Sequence, residues 1–142
     1  MQTLVYELDD VLAFVKRHLP GLARTEGMQA IGLARNGTLV AGAVYEGWNG
    51  RNVWVHLAGE PGGRWLTRRF LTAGFAYPFL VGGVDRISGY VDASNTAARR
   101  FDEHIGFKEE ARLSGAAADG GDVIIYVMRR ADCRFLGEGH GQ

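Results

Sequence analysis

Few residues in this chain have a type and position suited to chemistry. His56 closes the apolar run "NVWVH" and is the one histidine within the central apolar segments. An imidazole there can take up a proton, or can simply pack. Glu60, four residues on, is the next candidate for the same task. It opens "EPGGRWL", a glycine turn that leads into an amphipathic stretch. A third feature is "ASNTAARRFDEHIGF", where Asn95 stands at a cap position and Gly106-Phe107 ends the run. Asparagine before a helix usually does no more than cap it. The histidines at 18, 56, 104 and 140 lack metal-ligand spacing, so no metal site is expected. No Gly-x-Ser-x-Gly elbow, Walker loop or dinucleotide glycine pattern occurs, and hydrolase, nucleotide-binding and hydride-transfer readings have no motif behind them.

Composition narrows the setting. With 142 residues, 46% of them hydrophobic, the chain can bury one real core and is too short for two ordinary domains. Residues 1–136 are read as one domain, folding alone or as an oligomer of identical subunits such as a homodimer, and 137–142 as a disordered tail. Sixteen basic and sixteen acidic residues cancel, so no overall field draws the protein to nucleic acid or to an anionic membrane. The single Cys133 builds neither a disulfide framework nor a cysteine metal cluster, which fits a reducing, cytoplasmic compartment. No run approaches the length of a membrane span, and the start "MQTLVYELDD" is acidic where a signal peptide is basic.

The elements that must carry these residues follow from pattern. "DDVLAFVKRHLPG" predicts a helix over roughly 9–19, capped by Asp9 or Asp10 and stopped by Pro-Gly. Three apolar runs then follow, divided by Asn36-Gly37 and Asn49-Gly50, the dipeptides of tight hairpins; they predict an antiparallel meander ending near Ala58. From Gly62 the period becomes helical, with Trp65, Leu66, Phe70, Leu71, Phe75 and Phe79 on one side. "RISGYVD" reads as a strand, 95–105 as a helix and "VIIYVM" as a buried strand. A strand, crossover helix and strand favour a parallel central pair inside a mixed α+β fold.

"RISGYVDASNTAARRFDEHIGF", then "KEEARL" and "DVIIYVMRR", resembles the second half of the GNAT family of N-acetyltransferases. The likeness is nearest to the ribosomal-protein-acetylating branch, and the size is similar to compact bacterial or phage members. The spacing from Arg86 to Asn95 and on to Gly106-Phe107 carries it, with Phe79 seven residues before Arg86. It covers roughly 25–130 and is specific in its second half.

The resemblance implies a GNAT fold: a meander, a crossover helix, a strand, a helix and strands, with two splayed parallel central strands. It implies acetyl-CoA as co-substrate, its pantetheine arm lying between Leu57, Ala58 and Gly59 and the strand at 87–92, and direct transfer to an amine of a protein or small molecule. Splayed strands leave N–H and C=O groups that an amide-bearing arm can satisfy. Asn95 would reach the arm. Gly62, Gly63, Arg64, Trp65 and Leu66 would present N–H groups to the diphosphate at a helix amino end. Arg99, beside Arg100, would face a phosphate, as would Arg68-Arg69. The sequence departs from the family in two places: Glu60 and Trp65 stand where a polar or basic residue and a second glycine are usual. His56 is implied as the base, Glu60 as the alternative, and a backbone N–H near Leu57 as the oxyanion donor. The family's tyrosine acid, seven residues after the asparagine, is replaced by Asp102, with Tyr126 and Tyr90 as substitutes. The other reading is an inactive GNAT-derived binding module, its coenzyme cleft closed by Glu60 and Trp65.

Overall fold

The computed structural model describes residues 1–62 and 64–136; Gly63 and the tail at 137–142 lie outside the described residues. Seven strands form one mixed sheet: β1 (Gln2–Val5), β2 (Gln29–Arg35), β3 (Thr38–Glu46), β4 (Asn52–Gly59), β5 (Arg86–Asp92), β6 (Lys108–Leu113) and β7 (Val123–Arg129). The helices are α1 (Leu8–His18), α2 (Arg68–Ala76) and α3 (Thr96–Ile105). In space the strands run β1-β2-β3-β4-β5-β7-β6, and only β4 and β5 are parallel. The mixed α+β sheet, the meander and the parallel central pair agree with the sequence reading. β1 was not anticipated as a strand; it pairs with β2 at the sheet's edge.

α1 covers one face. Asp9 and Asp10 lie in its first turn and Lys16, Arg17 and His18 in its last, each sign opposing the helix dipole. Its cap is Glu7, two residues earlier than expected. Val11, Leu12, Phe14 and Val15 pack against Ala30, Val44 and Ala58. The helix sits close because Gly32 and Gly42 are paired beneath it: a Cβ on Gly42 would come 2.9 Å from both Val11 and Val15. α2 and α3 cover the opposite face, where Phe70, Phe75, Phe79 and Ile105 meet Tyr45, Val53, Ile87, Ile124 and Tyr126.

The two Asn-Gly turns differ. Asn36-Gly37 has positive φ at both residues and joins β2 to β3 directly. Asn49-Gly50 lies in a longer loop, where Asn49 Oδ1 accepts the N–H groups of Arg51 and Asn52. α2 also departs from expectation. It begins at Arg68, not at Gly62, because Thr67 caps it by accepting the Phe70 N–H at 3.2 Å, while residues 61–62 and 64–65 form turns. After Ala76 the helix widens into a π turn over Tyr77–Val81 that contains Pro78. Proline has no N–H for the carbonyl four residues back, and Tyr45 Oη donates to that carbonyl, Gly74 O, at 2.5 Å.

Candidate functional site

β4 and β5 share a ladder only over Asn52↔Arg86, Val53↔Ile87 and Trp54↔Ser88. Beyond that point β4 stays on β3 as far as Gly59, and β5 stays on β7 as far as Asp92. Residues 55–59 and 89–92 therefore diverge as the two arms of a fork, with no shared ladder. The closed end is pinned by polar contacts. Ser88 Oγ donates to Asn52 Oδ1 at 2.5 Å, and Arg86 Nε donates to the same oxygen at 3.2 Å. The Arg86 fork holds both oxygens of Glu110, at 3.0 and 2.7 Å. Ser88 is 2% exposed, so its hydroxyl needs this partner.

On the α1 face the fork reads outward as Asn52 beside Arg86, then Trp54 beside Ser88, then His56 level with Tyr90. His56 Nε2 lies 2.5 Å from Glu46 Oε2, and Thr25 Oγ1 donates to Glu46 Oε1 at 2.9 Å. A carboxylate only accepts, so it places the imidazole proton on Nε2 and the lone pair on Nδ1. The Tyr90 ring stands edge-on to His56 with centroids 5.6 Å apart, and meets Trp54 at 6.1 Å. The histidine side chain is only 9% exposed, while Tyr90 is 55% exposed. Imidazole and carboxylate are thus held on two strands, just past the point where the ladder ends.

The other face is apolar. Val55, Leu57, Ile87, Phe70 and Ile105 line a cavity of about 40 Å³ at the crotch of the fork. Ala58 instead turns to the α1 side and is buried there. At the far end of β4 the Trp65 ring lies on Gly59, and its Nε1–H donates to Glu60 O at 2.9 Å. Glu60 extends the β3 pairing through its N–H to Val40 O at 2.9 Å, and the residue is exposed. Four residues of strand, ~13 Å, separate it from His56. Gly62 takes φ 102° in the turn, Arg64 O accepts from Arg35 at 2.9 Å, and Leu66 is half-buried.

Across the gap, Asn95 Oδ1 caps α3 by accepting the Ala98 N–H at 3.1 Å. Arg99 Nη1 turns to Ala93 O at 3.2 Å, and its Nε is buried with no partner among the described residues. Arg69 donates to Gln2 O at 3.2 Å, on the sheet's far edge. Tyr126 Oη donates to Glu103 at 2.6 Å. Asp102 is half-buried on α3; burial, reinforced by the neighbouring Glu103 charge, pushes its carboxyl up to about 7. Among the described residues, no group of His, Cys, Asp and Glu could hold a metal ion, and no helix is long and apolar enough to cross a membrane.

The structure brings His56, Leu57, Ala58 and Gly59 to the fork, and it adds Glu46, which the sequence reading missed. Glu46 lies ten residues before His56 and has no motif spacing. A hairpin register would have found it: His56 faces Val44, and Glu46 is two residues along the same strand face. Gly62, Arg64, Trp65 and Leu66 lie ahead of α2 and not in its first turn.

No protein-family model and no curated protein matches the chain. Solved structures do. A point mutant of the spermidine N-acetyltransferase SpeG from Vibrio cholerae superposes with a TM-score of 0.76 at 15% identity, covering 96% of both chains. The dodecameric structure of the enzyme in an intermediate state gives 0.75 at 15%, covering 97% of this chain and 98% of that one. Its complex with manganese ions gives 0.71 at 16%, covering 90% and 92%. The fold is the GNAT fold. None of these three is described as a ribosomal-protein acetyltransferase.

Proposed function

We propose that this protein is an acetyl-CoA-dependent N-acetyltransferase that transfers an acetyl group directly to an amine. The observation that carries this is the fork, which opens beside a half-buried imidazole–carboxylate pair. An amide-bearing arm laid between residues 55–59 and 89–92 would find backbone groups outside any shared ladder, and an apolar cavity of about 40 Å³ suits a methyl group. Bound there, acetyl-CoA supplies an activated thioester. His56 Nδ1, on the α1 face, takes the proton of the incoming ammonium or of the attacking amine, and Glu46 stabilises the resulting imidazolium. A backbone N–H near Leu57 polarises the carbonyl. The departing thiolate takes its proton from solvent or from Asp102, which stands at the family's tyrosine position and whose carboxyl burial raises to about 7.

For the acceptor, the likeness to enzymes named for spermidine supports a small-molecule alkylamine. The ribosomal-protein branch rests only on the sequence spacing from Phe79 through Arg86 and Asn95 to Phe107. A reducing compartment and self-association belong to the same proposal: Cys133 is free and buried, and one similar structure is described as dodecameric. The second reading, an inactive binding module, draws on the Trp65 ring seated on Gly59. Thermal unfolding with coenzyme A separates the two readings, because a ligand that binds only the folded chain raises its Tm. A rise, followed by acetylation of a polyamine or monoamine with acetyl-CoA, is the expected result. A rise without turnover of any amine leaves the binding module; no rise removes the coenzyme altogether.

A further inference from the structure

At the end of β4 a side chain of the protein itself lies over the strand. A Cβ on Gly59 would lie 1.9 Å from Trp65 Cε2, 2.2 Å from Nε1 and 2.5 Å from Cδ2, so the indole rests directly on bare backbone. No residue with a side chain at 59 is compatible with that seat. The same ring reaches Phe101 of α3 at 5.4 Å between centroids and Phe70 of α2 at 6.2 Å, and so bridges the two helices that flank the opening. Its N–H takes the Glu60 carbonyl, just beyond the strand. The loop that carries it is held at two further points, by Arg35 on Arg64 O and by the Thr67 N–H on Trp65 O at 2.8 Å.

From this geometry we infer that Trp65 determines coenzyme affinity by occupying the slot: its indole competes with the pantetheine arm for the end of β4, and coenzyme A binds only to molecules in which the ring has left Gly59. The inference rests on the acetyl-CoA reading above. An arm that leaves the fork between α2 and α3 must pass where the indole spans Phe70 and Phe101, and ring and arm cannot occupy that gap together. Apparent affinity is then the intrinsic affinity multiplied by the fraction of molecules with the ring displaced. The ring is half-buried, packs on the core at Phe70, and lies in a turn, so its displacement uncovers Phe70 but breaks no helix or strand.

The test uses the whole chain and coenzyme A. Titration calorimetry on the parent and on Trp65→Ala should show tighter binding by the variant, by about tenfold or more, which corresponds to a ring displaced in about a tenth of parent molecules or fewer. In a second measurement Trp48 and Trp54 are replaced by Phe, so that Trp65 is the sole tryptophan. Saturating coenzyme A should shift its emission to the red and raise its quenching by acrylamide. Equal or weaker binding by Trp65→Ala overturns the inference. So does bound coenzyme A that leaves Trp65 emission unchanged, a result independent of how the variant folds. If neither parent nor variant binds, the acetyl-CoA reading itself falls; if the parent binds as tightly as the variant, only the role of Trp65 does.

Discussion

The two faces of the fork are built in different ways. On the α1 face Asn52, Ser88, Glu46 and His56 all sit on strands, and each polar group there is held by another at hydrogen-bond distance. On the opposite face the walls are apolar side chains, and the mouth is covered by an indole from a turn. A proton-transfer group must keep its geometry to within a fraction of an ångström, and strands locked in a sheet supply that. A slot that admits a long ligand must open, and a turn supplies that. The contrast teaches where change should hurt: substitutions on the strand-borne face should act on turnover or stability, those at the mouth on affinity.

The largest effect should come from His56→Ala. Loss of a general base lowers turnover by roughly 10²-fold, while coenzyme A affinity stays nearly constant. Steady-state kinetics with calorimetry on the same preparations checks both halves. Full turnover in the variant would make the histidine a packing residue and erase the difference between the two faces.

Asn52→Ala attacks the closed end. It leaves the buried Ser88 hydroxyl and the Arg86 Nε without their shared acceptor, at a cost of about 1–3 kcal/mol. Urea unfolding should show that loss with an unchanged m-value. A neutral result would mean that the ladder alone, without the polar contacts, holds the strands together.

Glu46→Gln should be milder, lowering kcat by about tenfold with little change in the KM for acetyl-CoA, because an amide can orient the imidazole but cannot stabilise its charge. If kcat is unaffected, the 2.5 Å contact serves packing only.

The smallest effect concerns Asp102. Its carboxyl rises from the ordinary value of 3.8 to about 7, so the folded chain holds that proton more tightly than the unfolded chain does. The carboxyl therefore costs the fold nothing below pH ~4, costs progressively more up to pH ~7, and costs a constant amount above it. Asp102→Asn should accordingly match the parent in Tm at pH 4 and exceed it at pH 8 by a few degrees. A constant difference across that range would show that the carboxyl is well solvated.

Much of this was legible from residues that are neighbours in the chain. Asn36-Gly37 announced its hairpin because positive φ is a local requirement, and Asn95 with Gly106 bounded α3 because caps bond within a turn of themselves. The apolar runs of β4 and β5, with a helix between them, announced a parallel crossover; the splay came from the family resemblance. α2 was misjudged at its start, because apolar spacing continues through Trp65 although that residue turns back onto the strand. Thr67 was the better signal, being a capping residue directly before the helix.

By itself, then, the sequence determined the central elements, their order and the place where two parallel strands meet, though not the edge strand β1. Those features depend on propensity, period and turn chemistry over a few residues. Only the tertiary structure decided that Glu46 stands beside His56, that Tyr45 bonds the carbonyl Pro78 leaves free, and that Trp65 lies on Gly59. Each of those contacts joins residues on different elements or turns, and which atoms meet depends on strand register and loop path. A shift of one residue in the β3–β4 register would turn Glu46 to the other face and leave the imidazole without its carboxylate.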